Sequence, residues 1–196
     1  NVLAEPVSAP MTDEIKVTLK ASQNPHAGMT PLLVAALKRT DSTQTGFDLE
    51  REFLTGMGLD LGGAQQGDGA GGDAHFSPSF MTSYLAAMSK RADFRAFHDA
   101  LPILGKDGSL WNIQPQSAAA GHVHAKTGTF ATYDPLNRRL LVTGKGLAGY
   151  LTTAQGERMT FALYVNNVSV SLEPNETTRI AGQALGEIAA AMYDGR

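Results

Sequence analysis

At 196 residues and 20.7 kDa, with 42% apolar residues, 18% charged residues and a formal net charge of −3, the chain suits one domain with a sizeable core; neither disorder nor a nucleic-acid partner fits this composition. Cysteine is absent, which excludes disulfides, thiolate metal sites and a cysteine nucleophile, and suits an oxidising compartment. No apolar run approaches the roughly 20 residues of a membrane-spanning helix, and no basic start followed by an apolar stretch marks a signal peptide.

The chain begins at Asn1 rather than methionine, so a removed leader or a cut precursor is expected. Residues 1–15, with Pro6 and Pro10 and no periodicity, read as an arm or the continuation of an upstream segment, and 16–196 as the folded portion. Ile15, Val17 and Leu19 alternate with polar residues, a strand-like signal too short to exclude a helix turn. After Ser22-Gln23-Asn24-Pro25, a helix is expected from Thr30-Pro31 through Leu32, Leu33, Ala36 and Leu37. A second helix spans Phe47 to Leu59, with Leu49, Phe53 and Met57 at four-residue spacing. Gly62 to Asp73 is too glycine-rich for either element and reads as a loop.

Ser77-Pro78 has the chemistry of a cap and first-turn proline, opening a helix with Phe80, Met81, Tyr84, Leu85 and Met88 on one face; Phe94 to Leu101 continues helically. The second half changes character. His122–Phe130, Leu140–Thr143, Gly149–Thr153 and Met159–Val165 are short runs between turn residues, with Gln155-Gly156-Glu157 as a hairpin turn. A last helix from about Thr177 to Tyr193 carries a stripe of Ile180, Ala184, Leu185, Ile188 and Met192. Helices, then a meander, then a helix predict an α+β domain with an antiparallel sheet flanked by helices.

Two short motifs have coherent chemistry. In Ser22-Gln23-Asn24 a hydroxyl that can carry a proton stands two residues from an amide that can bind a substrate; alone, the triplet is equally a turn shaped by Asn24 before Pro25. In Lys126-Thr127-Gly128-Thr129 an ammonium and a hydroxyl can bind a carboxylate, and the glycine admits another backbone; the alternative is a surface strand entering a turn. Other matches are weaker. Gly67-Asp68-Gly69-Ala70-Gly71-Gly72 fits a dinucleotide fingerprint, but no strand is expected at Gln65-Gln66 and no helix directly after it. His122 and His124 share a strand face without a third ligand, and Asn175-Glu176-Thr177 is as well explained by helix capping as by glycosylation. No cofactor or metal is expected.

Serine-x-asparagine followed by lysine-threonine-glycine is the order of the second and third motifs of serine β-lactamases and penicillin-binding proteins. From about Lys16 to the end the chain resembles the D-alanyl-D-alanine carboxypeptidase/endopeptidase family of the penicillin-binding protein 4 type. The resemblance rests on 19–24 (Leu-Lys-Ala-Ser-Gln-Asn), 101–110 (Leu-Pro-Ile-Leu-Gly-Lys-Asp-Gly-Ser-Leu), 125–130 (Ala-Lys-Thr-Gly-Thr-Phe), Leu147-Ala148-Gly149-Tyr150 and 161–167 (Phe-Ala-Leu-Tyr-Val-Asn-Asn). It implies the later part of a β-lactamase/DD-peptidase-like transpeptidase fold and a serine-type hydrolase acting on peptidoglycan stem peptides through an acyl-enzyme. It further implies a bacterial periplasmic or extracytoplasmic setting, with β-lactams as covalent inhibitors.

On that resemblance Ser22 relays a proton, Asn24 binds the substrate amide and Lys126 with Thr127 holds its terminal carboxylate. Gly128 keeps the strand approachable, and the Thr129 N–H forms half of an oxyanion hole. The chain departs from the family in three ways. Asp68-Gly69-Ala70-Gly71-Gly72-Asp73 stands where Asp-Gly-Ser-Gly-Leu-Ser is usual; Tyr133 to Lys145 is longer than the family needs and is expected to be a cleft-side loop; and no serine is followed three positions later by lysine. The nucleophile is therefore expected on an upstream segment, leaving this chain alone inactive. The other readings are a non-catalytic peptidoglycan- or partner-binding fragment, and a β-lactamase or esterase on the same fold.

Overall fold

The computed structural model describes residues 7–72 and 74–195. The first six residues of the expected arm lie outside them. Three helices open the chain: α1 (Met11–Ala21), α2 (Asn24–Ala36) and α3 (Thr43–Gly56). The strand expected over Ile15–Leu19 is the middle of α1. Its alternation was not a burial pattern, since Ile15 and Val17 are exposed and only Leu19 packs into a core; Asp13 and Glu14 in the first turn and Lys20 in the last suit a helix dipole. α2 starts six residues before the expected Thr30, because Pro25 rather than Pro31 occupies its first turn. Ser42 caps α3 by accepting the Thr45 N–H.

The glycine-rich segment begins in a 3₁₀ turn (Leu61–Gly63) and the two-residue strand β1 (Ala64–Gln65), which pairs with β2 (His75–Phe76) just beyond its end. Gln65 is thus in a strand, contrary to the sequence reading, yet the next helix begins only at Pro78. The glycines serve close packing: a Cβ on Gly69 would stand 2.3 Å from Ala27 O and 2.7 Å from Pro31 Cδ. Asp68 Oδ1 closes the loop by accepting the N–H groups of Ala70, Gly71 and Gly72.

Helices α4 (Pro78–Met88) and α5 (Phe94–Ala100) follow, α4 capped by Ser77 Oγ as its sequence predicts. The sheet consists of β3 (Val123–Asp134), β4 (Arg139–Thr152), β5 (Arg158–Val165) and β6 (Val168–Val170), all antiparallel, in the order β3-β4-β5 with β6 on the far end of β4. The two strands expected at Leu140–Thr143 and Gly149–Thr153 are one strand. The expected loop Tyr133–Lys145 is mainly paired: Tyr133 faces Leu140 and Thr129 faces Lys145, leaving only 135–138 as the turn. Asp134, bonded to Asn137 and Arg139, closes that hairpin.

Alternation along β4 separates two cores. Leu147 and Leu151 join Leu104, Ile113, Val123, Phe161, Leu185 and Ala189 on one face; Ala148 and Tyr150 join Leu85, Leu101, Phe94 and Phe97 on the other. α6 (Gln183–Tyr193), entered through a π-helical turn at Thr178–Gly182, covers the first face. Its buried side is Ala181, Gly182, Leu185, Gly186 and Ala189, whereas Ile180, Ala184 and Ile188 of the expected stripe are exposed. Close approach selects the small residues, since a Cβ on Gly186 would lie 2.4 Å from Ile113 Cγ2. On the other face Tyr150 Oη donates to Leu85 O at 2.9 Å. Because Leu85 O also accepts the Ser89 N–H, Tyr150→Phe should cost only about 1 kcal/mol; a chemical-denaturation loss several times larger would contradict this account.

Candidate active site

α1 ends at Ser22, a non-glycine residue in the left-handed region (φ 56°, ψ 53°) whose N–H bonds Thr18 O. That conformation is a helix-ending turn, in which the Gln23 N–H also reaches Thr18 O. Next to it the Lys20 ammonium donates to Leu101 O at 2.6 Å and to Asp107 Oδ2 at 2.6 Å, while Asp107 Oδ1 accepts the Ile103 N–H. Gly108 completes the junction at φ 57°, where a Cβ would lie 2.9 Å from Lys20 O. The end of α1 is therefore clamped to the segment that leads into β3.

Across that junction Lys126 Nζ donates to Ser22 Oγ at 2.8 Å, joining residues 104 positions apart, and to Thr127 O at 2.7 Å. Burial, with a smaller contribution from the Lys145 charge, holds the Lys126 pKa down at about 8. An ammonium only donates, so Ser22 Oγ accepts and its own proton remains free for another acceptor. Near neutral pH the pair can pass a proton from lysine through serine to a third group.

Thr127 and Thr129 lie on β3 with side chains on the α6 side of the sheet, the face of Val123 and Ala125. The Thr127 hydroxyl pairs with Ser109 Oγ at 3.0 Å, and Thr129 Oγ1 accepts from Lys145 Nζ at 2.6 Å. Gly128 is exposed, and a Cβ there would meet nothing within 4 Å. Asn24 opens α2, exposed and without a side-chain hydrogen bond among the described residues. The structure thus joins Ser22 to Lys126 directly, sets Thr127, Gly128 and Thr129 along the same strand, and leaves Asn24 near Ser22 by chain connection alone.

β3 is a sheet edge. Ile103 bridges His124 and Pro102 O takes the Ala125 N–H, but from Lys126 onward that edge has no strand partner among the described residues. An edge of this kind can take an extended peptide as an added strand. A cleft of about 490 Å³ lies beside Ala21, lined in part by the exposed Trp111 and by Ser109, whose hydroxyl pairs with Thr127 of β3.

Sequence reasoning missed Ser109, Lys145 and the Lys20–Asp107 clamp. The available signal for Lys145 was parity: it alternates with Leu147, Gly149 and Leu151 on the buried side of β4. His122 and His124 diverge, His122 resting on Tyr193 and His124 stacking on His98 with centroids 4.1 Å apart. Asn175 O accepts the Arg179 N–H at the start of the last helical run.

Residues 1–186 match the sequence profile of the D-Ala-D-Ala carboxypeptidase 3 (S13) family. The D-alanyl-D-alanine carboxypeptidase DacB of Haemophilus influenzae is 29% identical over 187 residues, covering 91% of this chain and 36% of that protein. Carboxypeptidase DacB of Mycolicibacterium smegmatis is 30% identical over 174 residues, covering 84% of this chain and 35% of that protein. The chain thus spans little more than a third of the length of these curated relatives. The crystal structure of Haemophilus influenzae penicillin binding protein 4 superposes with a TM-score of 0.76 at 27% identity, over 95% of this chain and 40% of that one. The TLA-1 extended-spectrum β-lactamase, at 14% identity and TM-score 0.65, shares the fold over 96% of this chain and 64% of its own. The α+β architecture is accordingly that of β-lactamases and DD-peptidases, as its motifs imply. With the fold, the Ser22–Lys126 junction and the profile match in agreement, the chain belongs to the D-Ala-D-Ala carboxypeptidase 3 (S13) family.

Proposed function

We propose that this chain supplies the proton-relay and carboxylate-binding side of a serine-type D-alanyl-D-alanine carboxypeptidase that cleaves peptidoglycan stem peptides outside the cytoplasm. The observation that carries this reading is the 2.8 Å bond between Lys126 and Ser22, with the pKa of the lysine near 8. A serine from outside the chain, its proton taken by a lysine of the same outside segment, attacks the carbonyl between two D-alanines and expels the terminal residue as its amine. Water then hydrolyses the acyl-enzyme, dividing one difficult displacement into two easier steps. Ser22 delivers a proton to the departing amine and is resupplied by Lys126. Asn24 binds the substrate amide, and Lys126 with Thr127 receives the terminal carboxylate.

The peptide lies along the free edge of β3, where Gly128 leaves room for its backbone and the Thr129 N–H faces the developing oxyanion. One such donor is worth about 2.7–4 kcal/mol of barrier. β-Lactams mimic the same substrate, consistent with the β-lactam complex of the Haemophilus influenzae homologue, 27% identical with a TM-score of 0.72.

The test is to treat the full-length protein with penicillin, digest it and map the adduct by mass. The adduct is expected on a serine outside these 196 residues, and the isolated chain is expected to form none. An adduct on any serine within the chain would remove the supplied-nucleophile reading.

A further inference from the structure

Trp111 is the chain's one tryptophan, and it is 65% exposed. Its backbone is nevertheless fixed: it follows the 3₁₀ turn at Gly108–Leu110, and the flanking Leu110 and Ile113 are fully buried. No aromatic or cationic group covers the ring among the described residues. A large amphipathic ring held in solvent on a rigid base gives up the burial its area normally provides, and such rings mark surfaces that receive a guest.

The ring lines the cleft of about 490 Å³ together with Lys20, Ser109, Asn112, Asn175 and Thr178, a size suited to a small ligand. The side chains of Asn112, Asn175 and Thr178 make no hydrogen bonds among the described residues, so their donors and acceptors are open to a guest. Charge is already satisfied here, because Lys20 gives its ammonium to Leu101 O and to both oxygens of Asp107. An ionic guest would find no free counter-charge. A flat apolar face beside uncharged amides and a hydroxyl instead matches a pyranose ring, which presents C–H groups on one face and hydroxyl and acetamido groups at its rim.

Direction along β3 says which sugar can arrive. On the carboxypeptidase reading the terminal carboxylate lies at Thr127, which pairs with Ser109 at the border of the cleft, and the scissile carbonyl lies at Thr129. The stem peptide therefore runs on toward its N-terminus away from Trp111, and the sugar that carries it leaves in that direction. Resting on that reading, we propose that the Trp111 cleft is a glycan subsite: it packs an N-acetylated sugar ring of a neighbouring peptidoglycan strand against the tryptophan and keeps the enzyme on the polymer while stem peptides are cut at β3.

The test measures D-alanine released by the full-length enzyme and by Trp111→Ala from two substrates, peptidoglycan sacculi with D-alanyl-D-alanine termini and a free N-acylated D-alanyl-D-alanine peptide. The variant should act on the free peptide like the wild type and lose on the order of 10-fold in kcat/KM on sacculi, mainly through KM, the range of one packed ring; Trp111→Phe should restore part of it. A tetrasaccharide of N-acetylglucosamine should inhibit the wild type on sacculi and not on the free peptide. An unchanged ratio between the two substrates in Trp111→Ala overturns the proposal, and so does a tetrasaccharide without effect on sacculi. The ring is exposed, so the alanine variant should fold; if it does not, an unchanged ratio in Trp111→Gln is equally fatal. A wild type that releases no D-alanine from the free peptide would instead refute the carboxypeptidase reading, and calorimetric titration with the tetrasaccharide, bound by the wild type and lost in the variant, would still decide the cleft.

Discussion

Replacing Lys126 with alanine in the full-length enzyme is expected to lower kcat by about 10²–10⁴-fold, the usual contribution of a positioned proton carrier. The side chain touches Ser22 Oγ and its own strand, and carries no core packing, so the folded state should persist. Burial even makes the lysine a burden: its pKa falls from 10.5 to about 8 on folding, so between those values the folded state binds fewer protons than the unfolded one. Stability attributable to this residue therefore rises with pH through that window, and the cost is present in full below about pH 8. The variant should melt no lower than wild type at neutral pH and lose any advantage as the pH is raised toward 10.5. Steady-state kinetics with paired melting curves check both halves; wild-type turnover in the variant would take Lys126 out of the chemistry.

Gly149→Ala is expected to be the most damaging small change in the sheet. The new Cβ would lie 2.1 Å from His124 O and 2.6 Å from Ala125 Cα, atoms of β3 just before Lys126. Backbone is the obstacle, so no flexible side chain can yield, and β3 must move away from β4. Overpacking of this kind costs up to about 3 kcal/mol, or a fall in Tm of about 6–12 °C for a domain of this size. The displaced strand carries Lys126, so activity per folded molecule should drop as well, since a shift near 1 Å can cost on the order of 10²-fold. Thermal unfolding and active-site titration separate the two effects, and a wild-type melting temperature would show that the junction tolerates the methyl.

Both results depend on the same contact between distant segments. Ser22 and Lys126 each sit in short motifs whose residue types suited acid–base and anion-binding work, and their order along the chain pointed to this family. Their distance was not legible. It depends on Lys20 reaching Asp107 and on Gly108 admitting the end of α1, contacts that span 87 residues for the ion pair and leave no local periodic trace. Lys145 was hidden for another reason: a lysine within 133–145 reads as part of a polar loop until strand pairing sets it opposite Thr129.

Local chemistry alone determined the Ser77 cap, the hairpin at Gly156, the helix-then-sheet order of the α+β fold and the two motifs, because each depends on residues within a few positions of one another. Tertiary structure alone decided that β4 is one strand and that α6 buries alanine and glycine rather than isoleucine. It also decided which lysine meets which hydroxyl. Those outcomes follow from how closely backbones approach and which charges find partners across the fold, and neither quantity is carried by any short stretch of sequence.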